Sequence, residues 1–428
     1  MSDSVVIVAG RRTPFVRAGE DLREVPVDVL ATACSRDLLD VSGVDPAEVS
    51  ELILGCCAQP PDRANPARVV SLRSGLPISS PAHTVARNCA SGMQAIVSGE
   101  LRVARDKDAV ILAGGAESMS RIPLLFPTSF GFKLASLSKA KTLGEKVSGW
   151  LKFKWSDLKP RIGLLEGLRD PFSGEMMGDT AERLAREWNV SREAQDQFSI
   201  ESHRRAIAAR EQLQQEISPF SIPPHLELYL TEDIGPREKM DPGKIGRMKP
   251  YFDRKMGTVT VANSCGITDG AAMVLLMREE RAKALGLQPL ARIVKSEFVG
   301  CDPLRMGLGP VHAMSKVLSN TDLTVSDLEC VELNEAFAAQ VLACQEALSS
   351  SSYSREAGFS STPGAIPDEK LNPEGGAIAL GHPVGASGAR IVLSLARKLH
   401  SNGGGYGVAT MCIGGGQGGA VLLEGVSS

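Results

Sequence analysis

Short apolar runs alternate with stretches of helical spacing at both ends of the chain, and this alternation constrains the fold more than any other feature. Residues 4–9 (SVVIVA) read as a buried strand. Val27, Leu30, Ala31, Cys34 and Leu38 then recur at the spacing of one helix face. Residues 51–58 and 82–87 read as strands, Cys89 to Val103 as an Ala-rich helix, and 108–120 as a strand closing on glycines. Such alternation implies a sheet with helices on its faces, an α/β fold. Residues 258–277 read as strand, turn, strand, followed by a short charged helix over 278–285, and alternation then resumes to the end. Each end has a glycine-rich turn beside a cysteine, a likeness too weak in one sequence to establish a duplication.

Between these ends the rhythm breaks. Residues 121–178 are long and basic and hold Trp150 and Trp155. From Phe132 to Arg161, eight Lys/Arg face two acids, a local charge of +6 in a chain whose net charge is −3. Leu134, Leu137, Leu143, Val147, Trp150, Leu151 and Phe153 interleave with those basic residues. A stretch of this kind docks on an anionic membrane surface or a partner subunit, or else covers a substrate pocket and attracts its phosphates. Helices are expected again over Asp179–Trp188 and Ser191–Gln212, the second capped by Ser191. The Ser-rich stretch 349–362 reads as an exposed loop.

The overall balance excludes some functions. Near-neutral charge and 4% aromatic residues argue against a nucleic-acid binder. No apolar run approaches the roughly 20 residues of a spanning helix, and the first residues lack the pattern of a secretory signal. Nine cysteines without a C-x-x-C pair argue against a disulfide framework and a zinc site, so no metal is expected and a reducing, cytoplasmic setting is the default.

Four elements could carry chemistry. Cys89, in RNCASGMQAI, sits where a strand ends and a helix begins. The N–H groups and positive end of a helix favour a thiolate there and could hold an oxyanion. The alternative is a small buried core cysteine. His382, in GGAIALGHPVGASGAR, is held before Pro383. No Lys follows the glycines, so this is not a phosphate loop. A structural histidine is the alternative. His83, His203, His225, His312 and His400 have weaker contexts, and His203 and His400 are expected to be solvated. Cys412 lies before three successive glycines, 414–416, which would let a ligand approach the backbone. Asn334 and Glu335 sit at a strand end before a helix, where Asn334 could be a simple cap. Two cysteines, a histidine and an asparagine, each beside a turn, suggest acyl chemistry through a thioester.

With those residues in view, the sequence resembles the thiolases, the 3-ketoacyl-CoA/acetyl-CoA acyltransferase family. The matching blocks are RRTPF (11–15), NCASGMQAI (88–96), GGAESMS (114–120), MGDTAE (177–182), FDRKMGTVTVANS (252–264), TDGAAMVLLM (268–277), NEAFAAQ (334–340), GGAIALGHPVGASGAR (375–390) and CIGGGQG (412–418). The basic insertion and the Ser-rich segment resemble most the thiolase subunits of fatty-acid β-oxidation complexes. The resemblance implies two similar α/β halves in a five-layer αβαβα sandwich. These would span about 1–118 plus 250–287, and 288–428, with a loop domain over 119–249 that binds CoA and the acyl chain.

The resemblance also implies roles. Cys89 would attack the keto carbon of a 3-ketoacyl-CoA, and His382 would take its proton. Asn334 would hold a water that completes a first oxyanion hole with His382. The N–H groups of Cys89 and Gly414 would form a second, and Cys412 would move the proton at carbon. Met177, Ser264 and Cys265 would line the CoA arm. CoA and acyl-CoA enter as substrates, with no permanently bound cofactor. A homodimer or tetramer is expected, with a hydratase/dehydrogenase subunit as a partner of the complex-type members and peripheral membrane contact through 132–161. Three positions depart from common family patterns. Cys265 stands where many members have a Ser on the pantetheine. Met176 stands where acetoacetyl-type members often have His, which favours longer acyl chains. Asn334 stands where complex subunits often have His, and agrees with ordinary thiolases. The alternatives are an acetoacetyl-CoA-forming enzyme, a ketosynthase, which needs no second catalytic cysteine, and an inactive lipid-binding scaffold, which should have lost a reactive residue.

Overall fold

A computed structural model describes residues 4–224 and 227–427. The first half runs β1 (Val5–Arg12), α1 (Val27–Ser42), β2 (Val49–Gly55), α2 (Pro66–Arg73), β3 (Ala82–Val85), α3 (Ser91–Arg105), β4 (Val110–Ser118) and, after a long insertion, β5 (Thr268–Arg278). The insertion includes α4 (Thr128–Ser138), α5 (Leu143–Trp150), α6 (Met177–Glu187) and α7 (Arg192–Ala208). The second half runs β6 (Ala291–Gly300), α8 (Gly309–Leu318), β7 (Leu328–Leu333), α9 (Ala338–Ser349), α10 (Val384–Ser401), β8 (Gly405–Ile413) and β9 (Gln417–Gly425).

Local chemistry sets these elements. In α1 the buried residues follow the helical period, and Gly43 ends the helix at φ 69°, its N–H returning to Leu39 and Asp40 carbonyls. Ser191 caps α7 through a hydrogen bond from the Ala194 N–H (3.1 Å). Residues 258–263 are not the strand expected of TVTVAN. The Glu182 carboxylate collects the N–H groups of Thr258 and Val259 (2.9–3.0 Å), and Asn263 takes that of Thr260 (2.7 Å), so side chains satisfy donors that a ladder would have used. Ser351–Glu356 is a short helix inside the Ser-rich stretch, capped by Ser350 and held by Tyr353 packing on Trp188 and Phe359.

The strand order is β3-β2-β4-β5-β1-β6-β9-β8-β7. Read outward from the β1–β6 seam, each half repeats one pattern. β1 pairs antiparallel with β5, β5 with β4, and β4 parallel with β2; β6 pairs antiparallel with β9, β9 with β8, and β8 parallel with β7. This is the duplication that one sequence could not establish. Three apolar clusters make the layers. Leu30, Cys34 and Leu38 of α1 cover one outer face with Val110, Leu112 and Met273. Val311, Met314 and Val341 cover the other with Val408 and Leu422. Between the sheets, α3 and α10 share a core in which Ile96, Ile391 and Leu395 meet Ile111, Val274, Met411 and Val421. The result is the five-layer αβαβα sandwich.

Arg12, fully buried in β1, pairs with Glu216 (2.5 Å) and Asp233 (2.6 Å), fastening the insertion to the first half. Among the described residues no helix is long and apolar enough to cross a membrane.

Candidate active site

The two central helices begin beside each other. A Cβ on Gly92 would lie 2.8 Å from the Gly385 carbonyl oxygen, so bare backbone brings the start of α3 against the start of α10. Cys89 lies two residues before α3 and His382 two before α10. The cysteine turn is tight: Asn88 takes φ 43°, a left-handed conformation that Asn tolerates, and the Ser91 N–H closes on the Asn88 carbonyl (3.1 Å). The Asn88 amide also donates to the Gly414 carbonyl (2.7 Å), tying this turn to the glycine loop after β8. That loop turns through Gly415 and Gly416 at φ 90° and 80°.

The Cys89 thiol is half-buried. Burial pushes its pKa up, while the N–H groups of Gly414 and of Cys89 itself draw it back. The helix end was expected to favour a thiolate, but removal from water outweighs those donors, and the resting thiol keeps its proton. A base is therefore required.

His382 precedes the helix start that abuts the cysteine turn. Its Nδ1 lies 2.6 Å from Ser387 Oγ, which donates to the Pro383 carbonyl (3.0 Å) and so accepts from Nδ1–H. Nε2 is then the unprotonated nitrogen, buried and without a protein partner among the described residues. Burial, with the charge of Arg390, lowers the imidazole pKa to about 4, so the ring is neutral at ordinary pH.

Cys412 is buried near the end of β8, and burial holds its thiol well above the ordinary range; the neighbouring thiols Cys89 and Cys265 add to the shift. Cys412 stays protonated and can act as an acid. Asn334 is fully buried, and neither polar atom of its amide has a protein partner among the described residues. Such an amide is costly unless a water or ligand meets it, which a simple cap would not explain. Glu335 beside it accepts from Ser202 (2.6 Å), Asn372 (2.9 Å) and the Ile378 N–H (3.1 Å), steadying the approach to the His382 turn.

Gly414 faces Met177: a Cβ there would meet the thioether sulfur at 3.2 Å. Met177 packs with Cys412, Val259, Phe252, Phe337 and Met306. Cys265 is half-buried; its N–H bonds the Ala336 carbonyl (3.0 Å), and burial with the nearby Cys89 pushes its thiol up to about 12. Ser264 turns its hydroxyl to the Thr260 carbonyl (2.7 Å). Met176 precedes α6, its N–H on Asp179 (2.8 Å).

The other histidines lie elsewhere. His83 meets Glu51 (2.9 Å), His312 meets Tyr353 (3.0 Å), and His400 meets the Val426 carbonyl (2.7 Å). His203 is not solvated as expected. It is 5% exposed, because the segment around Arg237 folds over α7 and its N–H bonds Nδ1 (3.2 Å). His225 lies outside the described residues. Two residues of the site escaped sequence reading. Ser387 carries a signal only as a hydroxyl one turn after the His-Pro step, and Asn88 only as a left-handed-tolerant residue before the cysteine.

Comparisons with known proteins identify the family. The "Thiolase, N-terminal domain" family matches residues 5–280 and the "Thiolase, C-terminal domain" family residues 287–425. A probable acetyl-CoA acyltransferase of Staphylococcus aureus (strain COL) is 37% identical over 425 residues, 98% of each chain. The crystal structure of the Bacillus anthracis acetyl-CoA acetyltransferase superposes with a TM-score of 0.85 at 36% identity, covering 99% of both chains. Human mitochondrial 3-ketoacyl-CoA thiolase in complex with CoA superposes at 0.83 and 33% identity, covering 99% of this chain and 98% of that one. Matched by both domain families and by full-length relatives, the chain belongs to the thiolase family and is an acetyl-CoA acyltransferase.

Proposed function

We propose that the chain is a 3-ketoacyl-CoA thiolase of fatty-acid β-oxidation, cleaving 3-ketoacyl-CoA with CoA into acetyl-CoA and a shortened acyl-CoA. One arrangement supports the chemistry: the turn that carries His382, whose Nε2 has no protein partner among the described residues, leads into α10 where it abuts the start of α3 beside the half-buried Cys89, and the buried Cys412 thiol lies within electrostatic reach of Cys89. Cys89 Sγ attacks the keto carbon while Nε2 takes the thiol proton. The C2–C3 bond breaks, its electron pair remains on C2 as the enolate of acetyl-CoA, and Cys412 protonates C2. Incoming CoA gives its thiol proton to the Cys412 thiolate and attacks the acyl carbon. Departing Cys89 recovers its proton from His382. A water on Asn334, with His382, holds the thioester oxygen. The Cys89 and Gly414 N–H groups hold the oxygen of the acyl-enzyme. Met177, Ser264 and Cys265 line the CoA arm.

Met176 and the apolar wall of Met177, Phe252, Phe337 and Met306 support substrates longer than acetoacetyl-CoA. Thiolysis across a ladder of 3-ketoacyl-CoA lengths tests this. Rates should rise beyond four carbons; activity confined to acetoacetyl-CoA would make the chain an acetoacetyl-CoA thiolase instead.

The insertion is assigned to an anionic bilayer surface. Phe130 and Phe153 join Phe126 and Trp150 in a small aromatic cluster (centroids 4.9–5.8 Å apart) in which Phe126 and Trp150 remain exposed, and Leu151 and Trp155 beside it are 81% and 85% exposed. Among the described residues, Lys139, Lys141, Lys146, Lys152 and Lys159 of this segment are exposed and make no ion pair. Apolar side chains among unpaired lysines match anionic headgroups above acyl chains. Flotation with anionic vesicles should succeed at low salt and fail at high salt. Failure at low salt would overturn the membrane assignment, and retention of a hydratase/dehydrogenase subunit instead would reassign the surface to that partner.

A further inference from the structure

Glu117, next to the last residue of β4, carries a carboxylate in a side chain that is 1% exposed. A buried carboxylate ordinarily has a cationic partner or loses its charge. This one accepts from three backbone N–H groups instead: Cys57 (3.0 Å), Ala58 (3.2 Å) and Gly385 (3.0 Å), with the Cys56 thiol at 3.6 Å. The first two donors follow β2 in one half of the molecule. The third begins α10 in the other half, three residues after His382. The fit is close on both sides: a Cβ on Gly385 would stand 2.8 Å from Glu117 Oε2 and 2.6 Å from the Ala116 carbonyl oxygen. The thiols of Cys56, Cys57 and Cys89 face the carboxylate, and its charge raises the pKa of each.

We propose that Glu117 is a positioning residue whose carboxylate pins the His382 turn of one half against the Cys89 side of the other, setting the reach of the imidazole to the thiol. The inference rests on the thiolase reading of the site. The carboxylate has a second consequence for chemistry: its charge adds to the desolvation that favours the protonated Cys89 thiol. Burial also holds the Glu117 carboxyl up at about 7, against the three donors that favour its charged form. The group thus titrates near neutrality instead of behaving as a permanently charged strut.

Two substitutions test this. Glu117→Gln removes the charge and turns an amide N–H₂ towards a backbone donor. Glu117→Asp keeps the charge but is one methylene too short to reach both sides. Both should lower kcat for thiolysis tenfold or more with KM for CoA within twofold of wild type. The pH midpoint of Cys89 alkylation by iodoacetamide, read by mass spectrometry, should move down in Glu117→Gln and stay in place in Glu117→Asp. That readout needs no turnover, so it separates failure of the pin from failure of the thiolase reading. Wild-type kcat in both folded variants would overturn the proposal. So would kcat, KM and thermal stability falling together in both with no difference in alkylation midpoint, which would leave Glu117 merely structural. If Glu117→Gln fails to fold, the kcat and KM of Glu117→Asp decide.

Discussion

The helix starts around Cys89 and His382 and the insertion around Trp150 treat apolar and polar groups in opposite ways. At the helix starts, groups that water would normally serve are buried: among the described residues, the Asn334 amide and the His382 Nε2 lack protein partners, and the Glu117 carboxylate accepts from backbone N–H groups without a cation. In the insertion, side chains that normally leave water stay in it: Phe132, Leu143, Leu151 and Trp155 are exposed. Both arrangements oppose the free energy of folding alone. Under the proposed function, small polar substrate groups complete the first and an anionic bilayer surface covers the second.

That contrast is broken most severely inside the site. His382→Ala should lower turnover by roughly two to four orders of magnitude, the range that general acid–base catalysis contributes, with the fold intact by circular dichroism. Cys412→Ala should split the reaction. Hydrogen exchange at the acetyl-CoA methyl group should fail, while exchange of acyl groups onto Cys89 survives in part. Methyl exchange at the wild-type rate would remove Cys412 from the proton path.

Ser387→Ala sharpens the comparison at smaller scale. Loss of the hydrogen bond that orients the imidazole should cost about 1–1.5 kcal/mol in the barrier, roughly tenfold in kcat/KM. The wild-type pH profile carries the sign of burial. The imidazole must be neutral to act, and its pKa is lowered to about 4, so activity should fall in two stages, partly as Glu117 protonates near 7 and completely only as pH drops through about 4. Complete loss through 6.5 would mean that the working base is not this buried ring.

The smallest effects belong to the insertion. Trp155→Ser with Leu151→Ser should leave turnover and stability unchanged within about 0.5 kcal/mol, because neither side chain is in the core. Vesicle binding at low salt should weaken. A large loss of stability would show that the two residues pack within the molecule instead.

How much of this was legible in the sequence follows the same division. The strand–helix alternation, the turns at Cys89 and Cys412 and the His-Pro step at 382 are local signals, and they locate the parts of the site. What each group does there depends on burial, which no local pattern encodes. The helix end at Cys89 suggested a thiolate, yet desolvation keeps the proton on; His203 sits on a charged helix, yet a distant segment covers it. Long-range contacts were likewise hidden: Glu117 reaches Gly385 across 268 positions of sequence. The duplication was faint because the halves keep a shared strand order with different side chains and one long insertion. Residues 258–263 misled for a related reason, since their strand-like pattern is overruled by Glu182 and Asn263.

In the proposed reaction Cys89 alone carries the acyl group. Intact-protein mass spectrometry after brief mixing with a 3-ketoacyl-CoA, with no free CoA added, tests it directly. The expected result is a mass increase equal to the shortened acyl group, mapped to the peptide containing Cys89, and no increase in Cys89→Ala. An acyl adduct that persists in Cys89→Ala, on Cys412, Cys265 or any other side chain, would contradict it.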